Sequence, residues 1–244
     1  NGIARVWMDH ALWPLMTTKL YIDQTGDIEI LNKQIPYFKD AQTMRGTGTD
    51  TLWEPEHSDR QRTAADEIYT GSMLEHLLIQ QLAAYYEVGD HNIYRLRGAD
   101  WNDALDMASE HGESVAFTCA YASNLLELAA LIRLLDERLT VHETELLEEI
   151  VVLLDDGAEV FGDIGKKRQI LLDYMSRCRH TVSGKRVSIS LSVLAVNLIR
   201  KANQLMEHLR VQEWIEGDNG EGWFNSYYDN HGQAVEGFFD GQVR

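Results

Sequence analysis

Cysteine is almost missing: Cys119 and Cys178 are the two in 244 residues. Two distant thiols make neither a disulfide framework nor a zinc ligand set, so a reducing compartment is expected. Proline occurs at 14, 36 and 55 and nowhere later, which leaves the rest of the chain free for long helices. Positive charge is also short. Lys and Arg number 22 against 39 Asp and Glu, for a net charge of −17. Such a surface repels phosphate backbones and anionic lipid, so neither nucleic acid nor membrane is expected as a partner. No run approaches the ~18 apolar residues of a membrane helix, and no signal-peptide pattern opens the chain; a cytoplasmic location is the expectation. His142, His180 and His208 lack metal-ligand spacing, so no metal is expected. The chain opens at Asn1 in aromatic-rich text and reads as a segment of a longer polypeptide.

Hydrophobic residues make up 44% of the chain and charged ones 25%. That supports one sizeable core in a single domain and argues against general disorder. Helical periodicity marks residues 10–25, with Pro14 in the first turn, then 72–88 ending before Gly89, and 114–139. It continues through the Glu- and Leu-rich 142–155, then 165–181 ending at Ser183-Gly184, and 188–210. Short connections suit antiparallel helical hairpins, and the lack of strand-helix alternation argues against a Rossmann sheet. Residues 40–66 show no period, and a loop that long is often functional. The tail from Gly217 turns to Gly, Asn, Asp and aromatics, and predicts a short β-hairpin around 223–228 with a turn at Asp229-Asn230-His231-Gly232.

The densest chemistry lies in RGADWNDALD, residues 97–106, where Asp100, Asp103 and Asp106 surround Trp101. One reading is a capped helix start, with Asp100 as the cap and Asp103 in the positive first turn. A calcium loop fits poorly, because the fifth and sixth positions are Ala104 and Leu105. The other reading is a sugar site. A tryptophan face packs on the C–H surface of a sugar ring, carboxylates and amides bind its hydroxyls, and crowded carboxylates raise one another's pKa toward general-acid use. WMDHALW at 7–13, LWEPEH at 52–57 and GWFNSYYDNHG at 222–232 share that texture.

RGADWNDALD resembles the DWND motif of the inverting disaccharide and oligosaccharide phosphorylases related to cellobiose phosphorylase. Residues 7–38, WMDHALWPLMTTKLYIDQTGDIEILNKQIPYF, resemble that family's Asp-Asp-His stretch with its following TGD. SMLEHLLIQQLAAYY, residues 72–86, is similar to the helix before the catalytic loop, and GWFNSYYDNHG to the aromatic strand and turn that follow a long helix. The resemblance spans about residues 5 to 232. It implies a mainly α fold, part of an (α/α)6 barrel, and phosphorolysis of a terminal β-linked glucosyl unit to α-glucose 1-phosphate. It implies Asp103 as the general acid, with Trp101, Asp9, Arg5, His10, Asp100 and Asn102 around the sugar. Inorganic phosphate is then the co-substrate, no cofactor is needed, and the parent enzyme is a homodimer. The family's N-terminal β-sandwich and its C-terminal phosphate-binding segments have no counterpart here, so residues 1–244 read as one segment of the catalytic domain.

This chain departs from the pattern with Met8 before Asp9-His10, Ala104 where the family has glycine, and a longer loop at 40–66. Linkage stays open among β-1,4, β-1,3 and β-1,2. Two rival functions also stay open: an (α/α)6 glycoside hydrolase with Asp9, Glu54 or Asp229 as base, and a non-catalytic carbohydrate-binding scaffold. Elsewhere the bland readings lead. Glu75-His76 suit a salt-bridged helix surface, Glu54 and Glu56 suit solvated loop acids, and Lys166-Lys167-Arg168 suit a solvent-facing helix start with no phosphate cradle. The leucines of 125–154 suit core, and Cys119 suits a small buried thiol.

Overall fold

The computed structural model describes residues 7–97, 107–140, 142–155, 157–217, 220–239 and 242–243. These are mainly helical, in agreement with the expected class. The helices are α1 (Leu12–Thr25), α2 (Met73–Tyr86), α3 (Val115–Arg138), α4 (Ala158–Phe161), α5 (Ile164–Arg177) and α6 (Leu191–Gln212).

Local chemistry sets their ends. Ser72 Oγ accepts from Glu75 N at the start of α2, Ser114 Oγ from Phe117 N at the start of α3, and Asp163 Oδ1 from Lys166 N at the start of α5. Each satisfies one of the amides that a first turn leaves without a helical partner. Gly26 closes α1 at φ 72°, where its N–H donates to the Ile22 carbonyl. That left-handed position explains the glycine of the TGD stretch. The fall of α2 is different, because Glu87 rather than Gly89 is its terminal cap.

The main core cluster lies among the helices, with three smaller ones beside it. Leu125, Leu128 and Ile132 of α3 meet Leu194, Leu198 and Leu205 of α6, and Leu15 of α1 and Leu78 and Leu82 of α2 close it from the other sides. The helix α3 is long and apolar enough to cross a membrane by length and composition, contrary to the expectation that no segment is; here more than half of it is buried against its neighbours.

Among the described residues the strands are short and form six antiparallel pairs. They are β1 (Gln34–Pro36) with β4 (Thr70–Ser72), and β2 (Gln42–Thr43) with β3 (Gly48–Thr49). Farther along, β5 (Glu113–Ser114) pairs with β10 (Tyr227–Tyr228), and β6 (Glu143–Leu147) with β7 (Arg186–Ser190). Last come β8 (Trp214–Glu216) with β9 (Gly222–Phe224), and β11 (Phe238–Phe239) with β12 (Gln242–Val243).

Three expectations are corrected. Residues 142–155 are not one α-helix: Glu143–Leu147 is β6, and Glu148–Leu154 is a 3-10 helix. The residues before Leu191 belong to β7 rather than to α6, because the alternating RVSIS pairs with ETELL over five residues. In the tail, the GWF strand pairs back on Trp214–Glu216, while Tyr227–Tyr228 reaches across to the start of α3. The predicted turn is present, with Gly232 at φ 72° and its N–H on the Asp229 carbonyl.

Residues 40–66 are built around a buried charge. Asp50 contacts Lys39 Nζ at 3.0 Å and His180 Nδ1 at 2.8 Å, and accepts from Leu52 N. Burial alone pushes the Asp50 carboxyl up, but hydrogen bonds from His180 and Lys39 outweigh it and hold it below the usual range. Pairing of this kind is what lets a carboxylate stay buried.

Candidate functional site

Arg5 and residues 98–106, which include Asp100, Trp101, Asn102 and Asp103, lie outside the described residues. What the structure does give is the frame that holds both ends of that stretch.

The N-terminal side is set by residues 7–11. The Met8 N–H donates to the Arg97 carbonyl at 3.1 Å, which brings the Asp9 segment beside the residue where RGADWNDALD begins. The Tyr121 hydroxyl of α3 donates to the Met8 carbonyl. Gln81 Nε2 of α2 donates to the Ala11 carbonyl at 2.6 Å, and Asn124 Nδ2 of α3 to Leu12 O at 3.3 Å. Buried side chains from two helices therefore fix a short 3-10 turn, Met8–Ala11, that carries Asp9 and His10.

Asp9 is half-buried. Its Oδ2 accepts from Trp13 Nε1 at 2.9 Å, while its Oδ1 is buried and has no partner among the described residues. An unsatisfied buried carboxylate oxygen costs about 1–3 kcal/mol, and such groups in folded proteins ask for an explanation. His10 is exposed, with its ring 5.0 Å from that of Trp7, whose indole Nε1 is also buried and has no partner among the described residues. Two open polar groups and an aromatic plane thus share one short turn.

The C-terminal side is held by the tail. Asn230 N–H donates to the Met107 carbonyl at 2.8 Å, and Asn230 Oδ1 accepts from both Glu110 N and His111 N at 2.8 Å. Farther in, the Tyr228 ring stacks on His91 with centroids 3.6 Å apart, and its hydroxyl donates to Glu213. The buried Glu113 accepts from His91 N and Ile93 N, and its Oε1 lies 2.7 Å from His91 Nδ1. Residues 94–97 thus meet the Met8 turn, residues 107–111 meet the tail turn at Asn230, and the Leu96 N–H donates to the Gly112 carbonyl at 2.8 Å between them.

Acids proposed for a hydrolytic base separate by environment. Asp229 Oδ1 accepts from His231 N and Gln233 N, and the Gln233 bond is the main cause of a carboxyl pKa below the ordinary value. It is a turn acceptor. Glu54 and Glu56 are exposed loop acids, as expected.

Several bland readings are overturned. Glu75 is fully buried rather than surface-exposed; its carboxylate accepts from Tyr37 Oη at 2.8 Å, Tyr69 Oη at 3.1 Å and Leu147 N at 2.8 Å. Burial, with Glu75 adding to it, raises both phenols above the ordinary value, so they stay protonated donors. His76 stacks on Tyr37 at 3.7 Å. Lys167 is also fully buried, while Lys166 and Arg168 face solvent as expected. Cys119 is half-buried, and the desolvation raises its thiol pKa. Of the leucines in 125–154, Leu125, Leu128, Leu131, Leu135, Leu146, Leu147 and Leu153 are core, while Leu126 is exposed.

One constellation escaped the sequence. Arg45, Arg95, Arg97 and Arg168 line a cavity of about 310 Å³ with Glu87, Thr47 and Tyr86. Glu87 is buried between two of them: Oε2 accepts from Arg45 Nε at 2.6 Å, and Oε1 lies 2.5 Å from Arg97 Nε. The Arg97 N–H does not point along that contact, so it forms an ion pair without a hydrogen bond. The proximity of Arg95 and Arg97 to DWND was a visible signal; nothing in the sequence joins Arg45 and Arg168 to them.

No family model matches the chain. It is similar to solabiose phosphorylase of Paenibacillus borealis, 28% identical over 130 residues, which is 52% of this chain and 13% of that protein. It is also similar to the cyclic beta-(1,2)-glucan synthase NdvB of Rhizobium meliloti (strain 1021), 24% identical over 115 residues, or 47% of this chain and 4% of that protein. The chain therefore spans a small part of the length of each. These are distant likenesses to carbohydrate-active enzymes.

Proposed function

We propose that the chain carries the acid-catalytic part of an inverting glycoside phosphorylase acting on β-linked glucosyl disaccharides or oligosaccharides. Two things support the reading: the ordered motif resemblance around DWND and the distant similarity to a solabiose phosphorylase. The observation that carries it furthest is the Met8–Arg97 hydrogen bond, which seats the Asp9 turn at the entrance of RGADWNDALD.

In this reading Trp101 lies along the glucosyl ring, and Asp9, with its open Oδ1, accepts a hydroxyl of the non-reducing-end unit. Arg5, His10, Asp100 and Asn102 complete the subsite. Asp103 gives its proton to the glycosidic oxygen as the C1–O bond breaks, and a phosphate oxygen forms the new bond to C1 from the opposite face. The products are α-glucose 1-phosphate and the free acceptor sugar. Phosphate is already anionic, so no second carboxylate is needed to activate it, unlike the water of an inverting hydrolase. The helices would form part of an (α/α)6 barrel in a homodimeric parent enzyme.

The test is product analysis with cello-, laminari- and sophoro-oligosaccharides, with and without inorganic phosphate. Glucose 1-phosphate formed only with phosphate is the expected result, and Asp103→Asn should lower its rate by about 10²–10⁴-fold. Glucose released without phosphate would replace this reading with the hydrolytic one. Full phosphorolysis by Asp103→Asn would remove Asp103 from the role.

A further inference from the structure

The helix α6 buries one side, with Leu194, Leu198 and Leu205 in the core, and leaves the other open. Along the open side run Val193, Val196, Arg200, Asn203, Glu207 and Val211. Steps of three and four residues put all six in one stripe of a helix with a 3.6-residue period. The three valines are 61%, 48% and 63% exposed. Scattered apolar side chains on a surface need no explanation, but an aligned set on an outer helix face marks a contact surface. Two open grooves follow the same stripe. One, of about 870 Å³, passes Val151 and Ile189, and the other, of about 720 Å³, passes Phe161; they share Val196 and Arg200.

The stripe is complementary to itself when reversed. Lay a second α6 antiparallel on the first, with a two-fold axis between Asn203 and Gln204. Val196 then faces Val211 of the second copy, Arg200 faces Glu207, and Asn203 faces Gln204. The axis repeats each contact, so both ion pairs form. Val193 comes opposite Trp214, an exposed ring just past the helix end whose edge is held against Phe224 with centroids 5.0 Å apart. Other arrangements lose these matches. Parallel pairing sets Arg200 on Arg200 and Glu207 on Glu207. Sliding the antiparallel pair by one turn sets Val196 on Glu207 in one direction, and Arg200 on Val211 in the other.

We propose that α6 pairs with the α6 of a second copy of this chain, antiparallel about a two-fold axis at Asn203 and Gln204. A contact of this kind uses the same patch on both copies and closes at two. Covering the valines and Trp214 drives it. The exposed ion pairs add little affinity, and their part is to fix the register and exclude like-charge arrangements. A helix of 22 residues is about 33 Å long. One such face makes a small interface, so a dissociation constant on the order of micromolar is expected. The pairing rests on α6 alone and not on the phosphorolysis reading.

Sedimentation equilibrium of the full chain tests it, at concentrations from about 1 to 200 μM. A monomer–dimer equilibrium is expected. Arg200→Glu and Glu207→Arg should each weaken it by about tenfold or more, because each substitution sets like charges at both contacts. Mixing the two variants should restore dimerisation, since the mixed pair has opposite charges at both contacts again; damage inside one chain is not repaired by mixing. A wild type that stays monomeric throughout overturns the proposal and leaves the face to another segment or another protein. A dimer that neither variant weakens overturns it too, as does weakening without recovery in the mixture. If circular dichroism shows a charge variant unfolded, Asn203→Cys decides. Oxidation should link two copies through that position beside the axis, and should not do so through Gln24→Cys, exposed near the end of α1. The native Cys119 and Cys178 are half-buried with raised thiol pKa values, so their background is low. No link at Asn203→Cys, or equal linking at both positions, overturns the pairing.

Discussion

Lys167 has its ammonium fully buried, where Nζ donates to Asn92 Oδ1 at 2.8 Å and lies 4.4 Å from the Tyr85 ring centroid and 4.6 Å from that of Phe161. Burial, and then the charge of Lys201, lower its pKa from 10.5 to about 7. The sign of the resulting pH dependence follows directly. Below pH 7 both folded and unfolded chains hold the proton, and the folded state bears the full cost of a buried charge. Between about 7 and 10.5 the unfolded chain keeps a proton that the folded chain has lost, so stability from this group rises with pH. Lys167→Met keeps the apolar stem and removes the titration. Urea unfolding at pH 6 and pH 9 should show the wild type gaining on the variant by up to about 3 kcal/mol, at 1.36 kcal/mol per unit. A wild-type-minus-variant difference that is flat across that range would show that Lys167 does not titrate there. The same buried lysine shows where sequence reading stops. Lys166, Lys167 and Arg168 are neighbours in one basic run, and only the packing of α5 on its neighbours decides which of them turns inward.

At the level of elements, Asn230 links the tail turn to the residues just after DWND. Its side-chain oxygen holds the amides of Glu110 and His111. Asn230→Ala keeps the backbone bond to Met107 and frees those two amides. They should lose hydrogen-exchange protection while α3 keeps its own. In the phosphorolysis reading the loosened loop end should also lower the rate by about tenfold or more, since a misplacement near 1 Å can cost about 10²-fold. Unchanged protection at Glu110 and His111 would show that the turn does not brace the loop. Elements with a sustained helical period, such as α2 and α3, were legible from the chain; the serine caps that start them were found in the structure. ETELL and EEIVVLL were not. Their Glu and Leu content favours helix, but pairing of Glu143–Leu147 with Arg186–Ser190 won, as tertiary context often does over propensity. For the site, the chain singled out Asp9 and the DWND stretch, and the structure describes only the first of them and the residues that flank the second. It did not show the arginine cavity, because Arg45 and Arg168 approach Arg95 and Arg97 only through the fold.

For the whole molecule, the charge balance sets two tendencies against each other. A net charge of −17 makes the folded chain repel itself. Much of the interior electrostatics is local and paired, as at Asp50 with Lys39 and at Glu87 with Arg45, and buried pairs are little screened by salt. The exposed pairs, such as Lys19 with Asp23 and Arg177 with Asp173, contribute little to begin with. Salt therefore acts mainly on the long-range repulsion. At about 0.01 M ionic strength the screening length is roughly 30 Å, longer than the radius of a domain this size, and at 1 M it is about 3 Å. The urea midpoint should rise as sodium chloride is raised across that range, with the slope of the transition unchanged. A midpoint that falls would mean that attractive ion pairs, not net repulsion, dominate the folded state.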